Sequence, residues 1–294
     1  MKLIDSISRM STLVKIIKKE GKSIGFVPTM GYLHEGHISL IKTAKQHADV
    51  VVVSIFVNPI QFSPGEDFDK YPRDIKRDEN LARDAGADII FYPVVKEMYQ
   101  DGYATYVNVE RLTDGLCGKK RPGHFRGVTT VVAKLFGIVK PDIAYFGQKD
   151  AQQAFAIKKM VEDLNMGIEI KILPTVRAED GLAMSSRNTY LTESDKRDAA
   201  LIYDALEKAE AVIREGETDP AKVVSIMAAI IGKANCVKID YMAITDTKEL
   251  REVKKISGEV LVAAAVYVGK TRLIDNIIVN ASLNKAPVKK GVTQ

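Results

Sequence analysis

Cysteine is scarce: Cys117 and Cys236 are the only two in 294 residues. They provide no disulfide framework, and a reducing cytoplasm is the expected setting. Histidine is nearly as rare, with His34, His37, His47 and His124 making up the set. A zinc site needs three or four ligands brought together, so no protein metal ligand is assigned. No apolar run approaches the ~20 residues that cross a bilayer. Met1–Met10 is amphipathic and lacks the apolar core of a signal peptide. Internal repeats and low-complexity tracts are missing as well.

What is present is an ordinary globular composition, 46% hydrophobic and 28% charged, in a length that suits two moderate domains. The net charge is 43 − 38 = +5, yet acids and bases are interspersed. Only Lys119-Lys120-Arg121 and Lys289-Lys290 stand out. A nucleic-acid binder would carry a basic stripe with aromatic platforms. Dispersed charge fits small anionic substrates better, so neither nucleic acid nor membrane is expected as a partner.

Through about residue 175 the pattern alternates strand and helix. Strands are read at Ser23–Val27, Val50–Phe56, Asp88–Tyr92, Ile143–Phe146 and Ile168–Leu173. Helices are read near Gly36–Gln46, Arg73–Ala85 and Gly127–Val139, and from Gly147 to about Leu164. This predicts a doubly wound α/β domain with ligands at the carboxyl ends of parallel strands. Beyond about Val176 come two helices, Ser194–Glu215 and Asp219–Lys233. Three strands follow, Val237–Thr245, Glu259–Val268 and Thr271–Ile278, with a tight turn at Gly269-Lys270. That order describes a smaller α+β domain.

Four segments carry chemistry. In Pro28-Thr-Met-Gly-Tyr-Leu-His-Glu-Gly-His37 a strand breaks at Pro28 and Gly31 and a helix begins, with His34 and His37 three residues apart. Unpaired N–H groups and the positive helix end would converge there on an anion, and imidazoles can donate to phosphate oxygens. The local reading is a nucleotide triphosphate site. In Ser54–Phe62, the amides of Asn58 and Gln61 suit a hydroxyl- or carboxylate-bearing substrate. In Phe146–Gln153, Gly147 permits close approach and Lys149 supplies a point charge. Asp150 suits an N-cap there, and Gln153 lies one turn on. In Val176–Tyr190, Ser185, Ser186 and Arg187 form a candidate phosphate clamp on a loop. Taken singly, the last three also fit a polar turn, a capped helix and an inter-domain linker. The basic stretch Lys119–Gly127, with His124-Phe-Arg-Gly127, reads as a flexible loop that closes with Ser185–Arg187 over a reactive intermediate.

Together these segments closely resemble the pantothenate synthetases, the pantoate–β-alanine ligases of the His-x-Gly-His nucleotidyltransferase superfamily. The likeness runs from about residue 20 to 280. His-x-Gly-His alone would indicate only the superfamily. Another adenylyltransferase of that superfamily would account for the histidines but would leave Gln61 and Gln153 without roles. The lysine-rich second signature of the superfamily's tRNA synthetases is replaced here by Met184-Ser-Ser-Arg-Asn188, in agreement with the ligases.

The resemblance implies a Rossmann-like domain over 1–175 that binds ATP and pantoate. The α+β domain, expected to act as a lid, covers 176–282, and the polar, Pro- and Gly-bearing stretch 283–294 reads as a disordered tail. The resemblance also implies a two-step reaction: (R)-pantoate and ATP give pantoyl adenylate and pyrophosphate, then β-alanine displaces AMP to give pantothenate, a coenzyme A precursor. ATP would be framed by Met30, Gly31, Tyr32, Leu33, His34, Glu35, Gly36 and His37 on one side. Gly147, Gln148, Lys149, Asp150, Val176, Met184, Ser185, Ser186 and Arg187 would frame it on the other. Gln61 and Gln153 would hold pantoate, with Gln61 also meeting β-alanine. His34, His37 and Lys149 would carry the catalysis, His37 as proton donor. Mg2+ is expected with ATP, the acidic helix Arg73–Glu79 offering no decisive ligand pair and Asp78 only a weak candidate, and the assembly is expected to be a homodimer.

Overall fold

In this computed structural model, which describes residues 1–282, six strands form one parallel sheet. They are β1 (Lys2–Ile4), β2 (Ile24–Thr29), β3 (Val50–Ile55), β4 (Ile89–Phe91), β5 (Ile143–Gly147) and β6 (Glu169–Leu173). Their order is β1-β4-β3-β2-β5-β6, and every pairing is parallel. β3 reads Val-Val-Val-Val-Ser-Ile because helices cover both faces, which removes any polar alternation. Crossover helices are α1 (Ile7–Lys19), α2 (Glu35–His47), α3 (Ile75–Asp84), α6 (His124–Val139) and α7 (Ala151–Asp163), with short turns α4 (Val95–Met98) and α5 (Leu116–Lys120) between them. Val27, Ile41, Ala44, Val51, Val53 and Tyr145 belong to one buried cluster that packs α2 onto the sheet.

Strand order reverses between β2 and β5. From β2 the chain moves outward through β3 and β4, whereas β5 and β6 extend the opposite edge. The crevice beyond the carboxyl ends of β2 and β5 is therefore the switch point where ligands bind in such sheets. The doubly wound reading holds, with two differences. An edge strand β1 and the helix α1 occupy the amphipathic N-terminus. Three residues are too few to show alternation, and α1 buries Met10, Val14 and Ile17 at helical spacing. The stretch His124–Gly127 is not loop. It is the first turn of α6, entered through Gly123 at φ 82°.

Chain contacts group Met1–Glu179 with Ala183–Tyr190 as one unit, and Asp180–Leu182 with the chain from Leu191 onward as another. The sequence placed the division at 175/176. Residues 183–190 join the first unit because Ser186 and Arg187 bond to Tyr71 and Asp67. The second unit holds α8 (Glu193–Arg214), α9 (Pro220–Ile231) and the antiparallel sheet β7 (Val237–Asp246), β8 (Glu259–Val268), β9 (Thr271–Asn280). Thr192 caps α8: its hydroxyl accepts from Asp195 N–H at 3.2 Å, and its own N–H donates to the Asp195 carboxylate at 3.0 Å. Ala205, Leu206, Met227, Val262 and Val266 lie at the centre of this unit's core. The tail expected at 283–294 lies outside the described residues.

Candidate active site

The segment between β2 and α2 sets the site. Thr29 Oγ1 donates to the Ser54 carbonyl at 2.8 Å and accepts from Gly31 N–H at 3.1 Å. Gly31 (φ 84°) and Tyr32 (φ 51°) then turn consecutively through left-handed backbone. A Cβ at Gly31 would lie 2.9 Å from Ile55 Cγ2, so a side chain is excluded by space as well as by conformation. Tyr32 and Leu33 N–H groups donate to the two carboxylate oxygens of Asp78 on α3, each at 2.7 Å. The expectation of free loop amides aimed at an anion therefore fails. The N–H groups of residues 31 to 34 and of Gly36 all have acceptors within the protein.

The imidazoles remain available. His34 is the N-cap of α2: its Nδ1 accepts from Gly36 N–H at 3.2 Å, while its own N–H donates to His37 Nδ1 at 3.3 Å. The rings lie 4.0 Å apart between centroids. With both Nδ1 atoms accepting, each neutral ring carries its proton on Nε2, a donor not used in this reciprocal cap. Burial, reinforced by His37 and Lys149, holds His34 down to about 2. Burial also holds His37 down to about 4, against the opposing pull of Asp150. Both are neutral at physiological pH, and both feel the charge of Lys149.

Gln61 is held from several sides. Asn58 Nδ2 donates to Gln61 Oε1 at 3.1 Å and to the Gly127 carbonyl at 3.1 Å, and Tyr99 OH donates to Asn58 Oδ1 at 2.8 Å. Asn58 is 1% exposed, so it orients Gln61 and does not line the cleft. The Gln61 Nε2 group lies 3.1 Å from Met30 Sδ, which presents an N–H donor to a carboxylate or hydroxyl. His124 Nδ1–H donates to the Gln61 carbonyl at 2.8 Å, and His124 Nε2 accepts from Arg121 at 3.0 Å. Arg121 also grips Glu66 in a fork, two contacts of 2.6 Å. Arg121 and His124 both line the cleft, and the sequence reading gave them no site role beyond a mobile loop.

At the end of β5, Gly147 leads into a single 3₁₀ turn, Gln148–Asp150, and then α7. Asp150 stands at the N-cap position but makes no side-chain cap bond. Its carboxylate lies 3.6 Å from Lys149 Nζ instead. Gln153 lines the cleft. Its neighbour Gln152 is turned inward, bonded to Cys117 N–H and to the carbonyls of Leu112 and Gly115. Across the cleft, Met184 N–H donates to the Val176 carbonyl at 2.9 Å. Ser186 Oγ is 2.9 Å from Tyr71 OH. Arg187 makes a two-pronged contact of 2.8 Å and 2.8 Å with Asp67.

One cleft of about 210 Å³ thus gathers Met30, His34, Gly36, His37, Gln61, Gly147, Lys149, Asp150, Gln153, Val176, Met184, Ser185, Ser186 and Arg187. Gly31, Tyr32, Leu33, Glu35 and Gln148 fall outside its lining: Leu33 is core, Glu35 is exposed, and Tyr32 lies beneath the Arg77 guanidinium. Among the described residues the buried hydroxyls of Tyr145 and Thr175 have no protein partner, and both residues line the cleft. Such atoms are costly unless a ligand or water meets them. No group of three or more His, Cys, Asp or Glu side chains could hold a metal among the described residues. Asp78, with both oxygens on loop amides, does not fit as a magnesium ligand.

The comparisons agree on one family. The family model described as pantoate-beta-alanine ligase matches residues 2–278. The chain is 55% identical over 279 residues to a pantothenate synthetase of Caldicellulosiruptor saccharolyticus, covering 95% of this chain and 99% of that one. It is similar to the crystal structure of pantothenate synthetase from Thermus thermophilus, with a TM-score of 0.90, 41% identity, and 94% and 99% coverage. It is also similar to a pantoate-beta-alanine ligase from Francisella tularensis, solved in complex with beta-gamma ATP and beta-alanine. Here the TM-score is 0.79 and the identity 36%, with 95% of this chain and 97% of that one covered.

Proposed function

This chain belongs to the pantoate-beta-alanine ligase family, and from that premise we propose that the cleft beyond β2 and β5 is where ATP, pantoate and β-alanine meet. The protein is an ATP-dependent acid–amine ligase that makes pantothenate. In the proposed course, a pantoate carboxylate oxygen attacks the α-phosphorus of ATP. The bond to the bridging oxygen breaks and pyrophosphate leaves. The β-alanine amine then attacks the acyl carbon of pantoyl adenylate and loses a proton, the acyl carbon–oxygen bond breaks, and AMP leaves with that oxygen and its electron pair.

The observation that carries this reading is the His34–His37 pair, locked with both Nδ1 atoms accepting and both Nε2–H groups left to donate. As charge moves onto the leaving pyrophosphate, two neutral donors and the Lys149 ammonium stabilise it without reorganising. His37, neutral here, serves in this set as a hydrogen-bond donor through Nε2–H. Gln61, oriented by Asn58, donates to pantoate and then to β-alanine, and Gln153 completes the pantoate site. Backbone at Gly147 and Val176, together with the hydroxyls of Ser185 and Ser186, borders the nucleotide. Arg187 binds phosphate by exchanging its Asp67 partner.

Mg2+ would enter with the triphosphate and neutralise its charge, the described carboxylates being poorly placed to hold it. A cytoplasmic location and a homodimer complete the proposal. No helix among the described residues is long and apolar enough to cross a membrane, and sedimentation gives the oligomeric state. The deciding experiment is pantoate-dependent exchange of labelled pyrophosphate into ATP. His37→Ala should lower it by about two orders of magnitude or more. Near-normal exchange in that variant would reject the histidine roles.

A further inference from the structure

The turn that delivers the histidines carries a built-in anion. We infer that Asp78 is a positioning residue for adenylate formation, setting Met30 and the His34–His37 pair by holding the amides of Tyr32 and Leu33. The inference rests on the roles proposed above for the two histidines.

Asp78 sits in the first turn of α3, 1% exposed, with each carboxylate oxygen 2.7 Å from one loop N–H. Two charge-assisted bonds on a buried carboxylate are strong, and a buried carboxylate without them would be costly. The loop they hold is strained. Tyr32 is a bulky residue in left-handed backbone directly after another left-handed residue, a conformation that persists only where the surroundings over-determine it. Arg77 completes the clamp: its guanidinium stacks 4.6 Å from the Tyr32 ring and its Nη1 lies 3.4 Å from Asp78 Oδ1. The fit is close on the near side as well, since a Cβ on Gly31 would stand 3.0 Å from Asp78 Oδ2.

Error in this loop passes directly to the chemistry. One residue beyond Leu33, the His34 N–H fixes His37 Nδ1, and with it the tautomer and tilt of that ring. Asp78 itself lies outside the cleft lining and touches no reacting group. Burial pushes its carboxyl up, opposed by the Leu33 and Tyr32 amides. That balance describes a group placed for backbone support.

The test is Asp78→Asn in the full chain, an isosteric change that sets an NH2 group against one loop amide. Amide hydrogen exchange in a peptide covering Met30–His34 should quicken by about tenfold or more. Turnover in pyrophosphate exchange should fall at least about tenfold, because small misplacements of catalytic groups are expensive. KM for pantoate should hold near its original value, and the thermal midpoint should fall only modestly, as the loss of two local hydrogen bonds implies. Asp78→Glu, which restores a carboxylate, should recover part of the turnover. Unchanged amide exchange would overturn the inference, and so would quickened amides with unchanged turnover. Loss of the fold in both variants would overturn it too, since Asp78 would then support the domain and not the loop. Failure of the histidine roles shows separately, as near-normal exchange in His37→Ala.

Discussion

The imidazole of His34 lies directly over the backbone of Gly36: a Cβ built at Gly36 would stand 2.9 Å from His34 Cε1 and 3.0 Å from Nδ1. The glycine of His-x-Gly-His is thus a packing requirement, because the ring must fold back to accept the Gly36 N–H. Gly36→Ala separates stability from activity. The helical gain of alanine over glycine, roughly 0.5–1 kcal/mol at most, is offset by the lost His34 cap, so thermal stability should hold or fall slightly. Pyrophosphate exchange should fall by about 100-fold, because the ring must move. Calorimetry and the exchange assay on one preparation check both halves.

Gln61→Ala removes a donor that Asn58 aims into the cleft. KM for pantoate and for β-alanine should each rise by about tenfold or more, as expected when a hydrogen bond to a charged substrate is lost. KM for ATP should stay near its original value. Initial-rate kinetics with each substrate varied in turn decide it. A rise confined to ATP would assign Gln61 to the wrong substrate.

The histidines make stability depend on pH with a definite sign. His37 and His124 are each held down to about 4 in the folded chain by burial, against an ordinary value near 6.5. Between these values the unfolded chain binds more protons than the folded one, so stability increases with pH across that window. Stability should be complete above about pH 6.5 and fall progressively as pH drops toward 4. Urea midpoints measured across this range test it, and His124→Gln should flatten the dependence. The acid limb of activity should likewise lie below the usual histidine range.

Gly127→Ala probes the seam between α6 and the turn that carries Gln61. A Cβ there would meet the Ile60 carbonyl at 2.4 Å and Gln61 Cα at 2.7 Å. Overpacking of this kind costs about 1–3 kcal/mol, and the displaced turn should also raise KM for pantoate. A lowered thermal midpoint together with a raised KM is the expected pair of results.

The sequence showed the parallel sheet and the three strand-end segments at Pro28–His37, Ser54–Phe62 and Phe146–Gln153 because each is a local pattern, an apolar run that a Gly or Pro then breaks. It could not show partnerships that depend on distant packing. Asp78 read as a weak magnesium candidate because no local signal shows that α3 brings it against the Tyr32 and Leu33 amides. Asn58 read as a substrate amide because nothing local reveals that Tyr99 and Gly127 would claim it. Arg121 and His124 read as loop because Pro122-Gly123 interrupts them, although Phe125, Gly127 and Val128 bury one helical face immediately afterward. The edge strand β1 was too short to announce itself.

The adjacency of β2 and β5 has a consequence for how the protein comes into being. Gly25 pairs with Ile143, and Phe26 with Ala144, across a long detour of chain through β3 and β4. Pairings this distant in sequence form late and slowly. A ribosome that has released the histidine loop and all of β3 has made one wall of the cleft only. The opposite wall, with Lys149 and Gln153, does not yet exist, and until Gly147 emerges there is no place for a nucleotide to sit. Ligand affinity therefore needs β5 docked on β2 and the Val176–Arg187 segment in place beside it, and ATP should stabilise only chains that have reached that point.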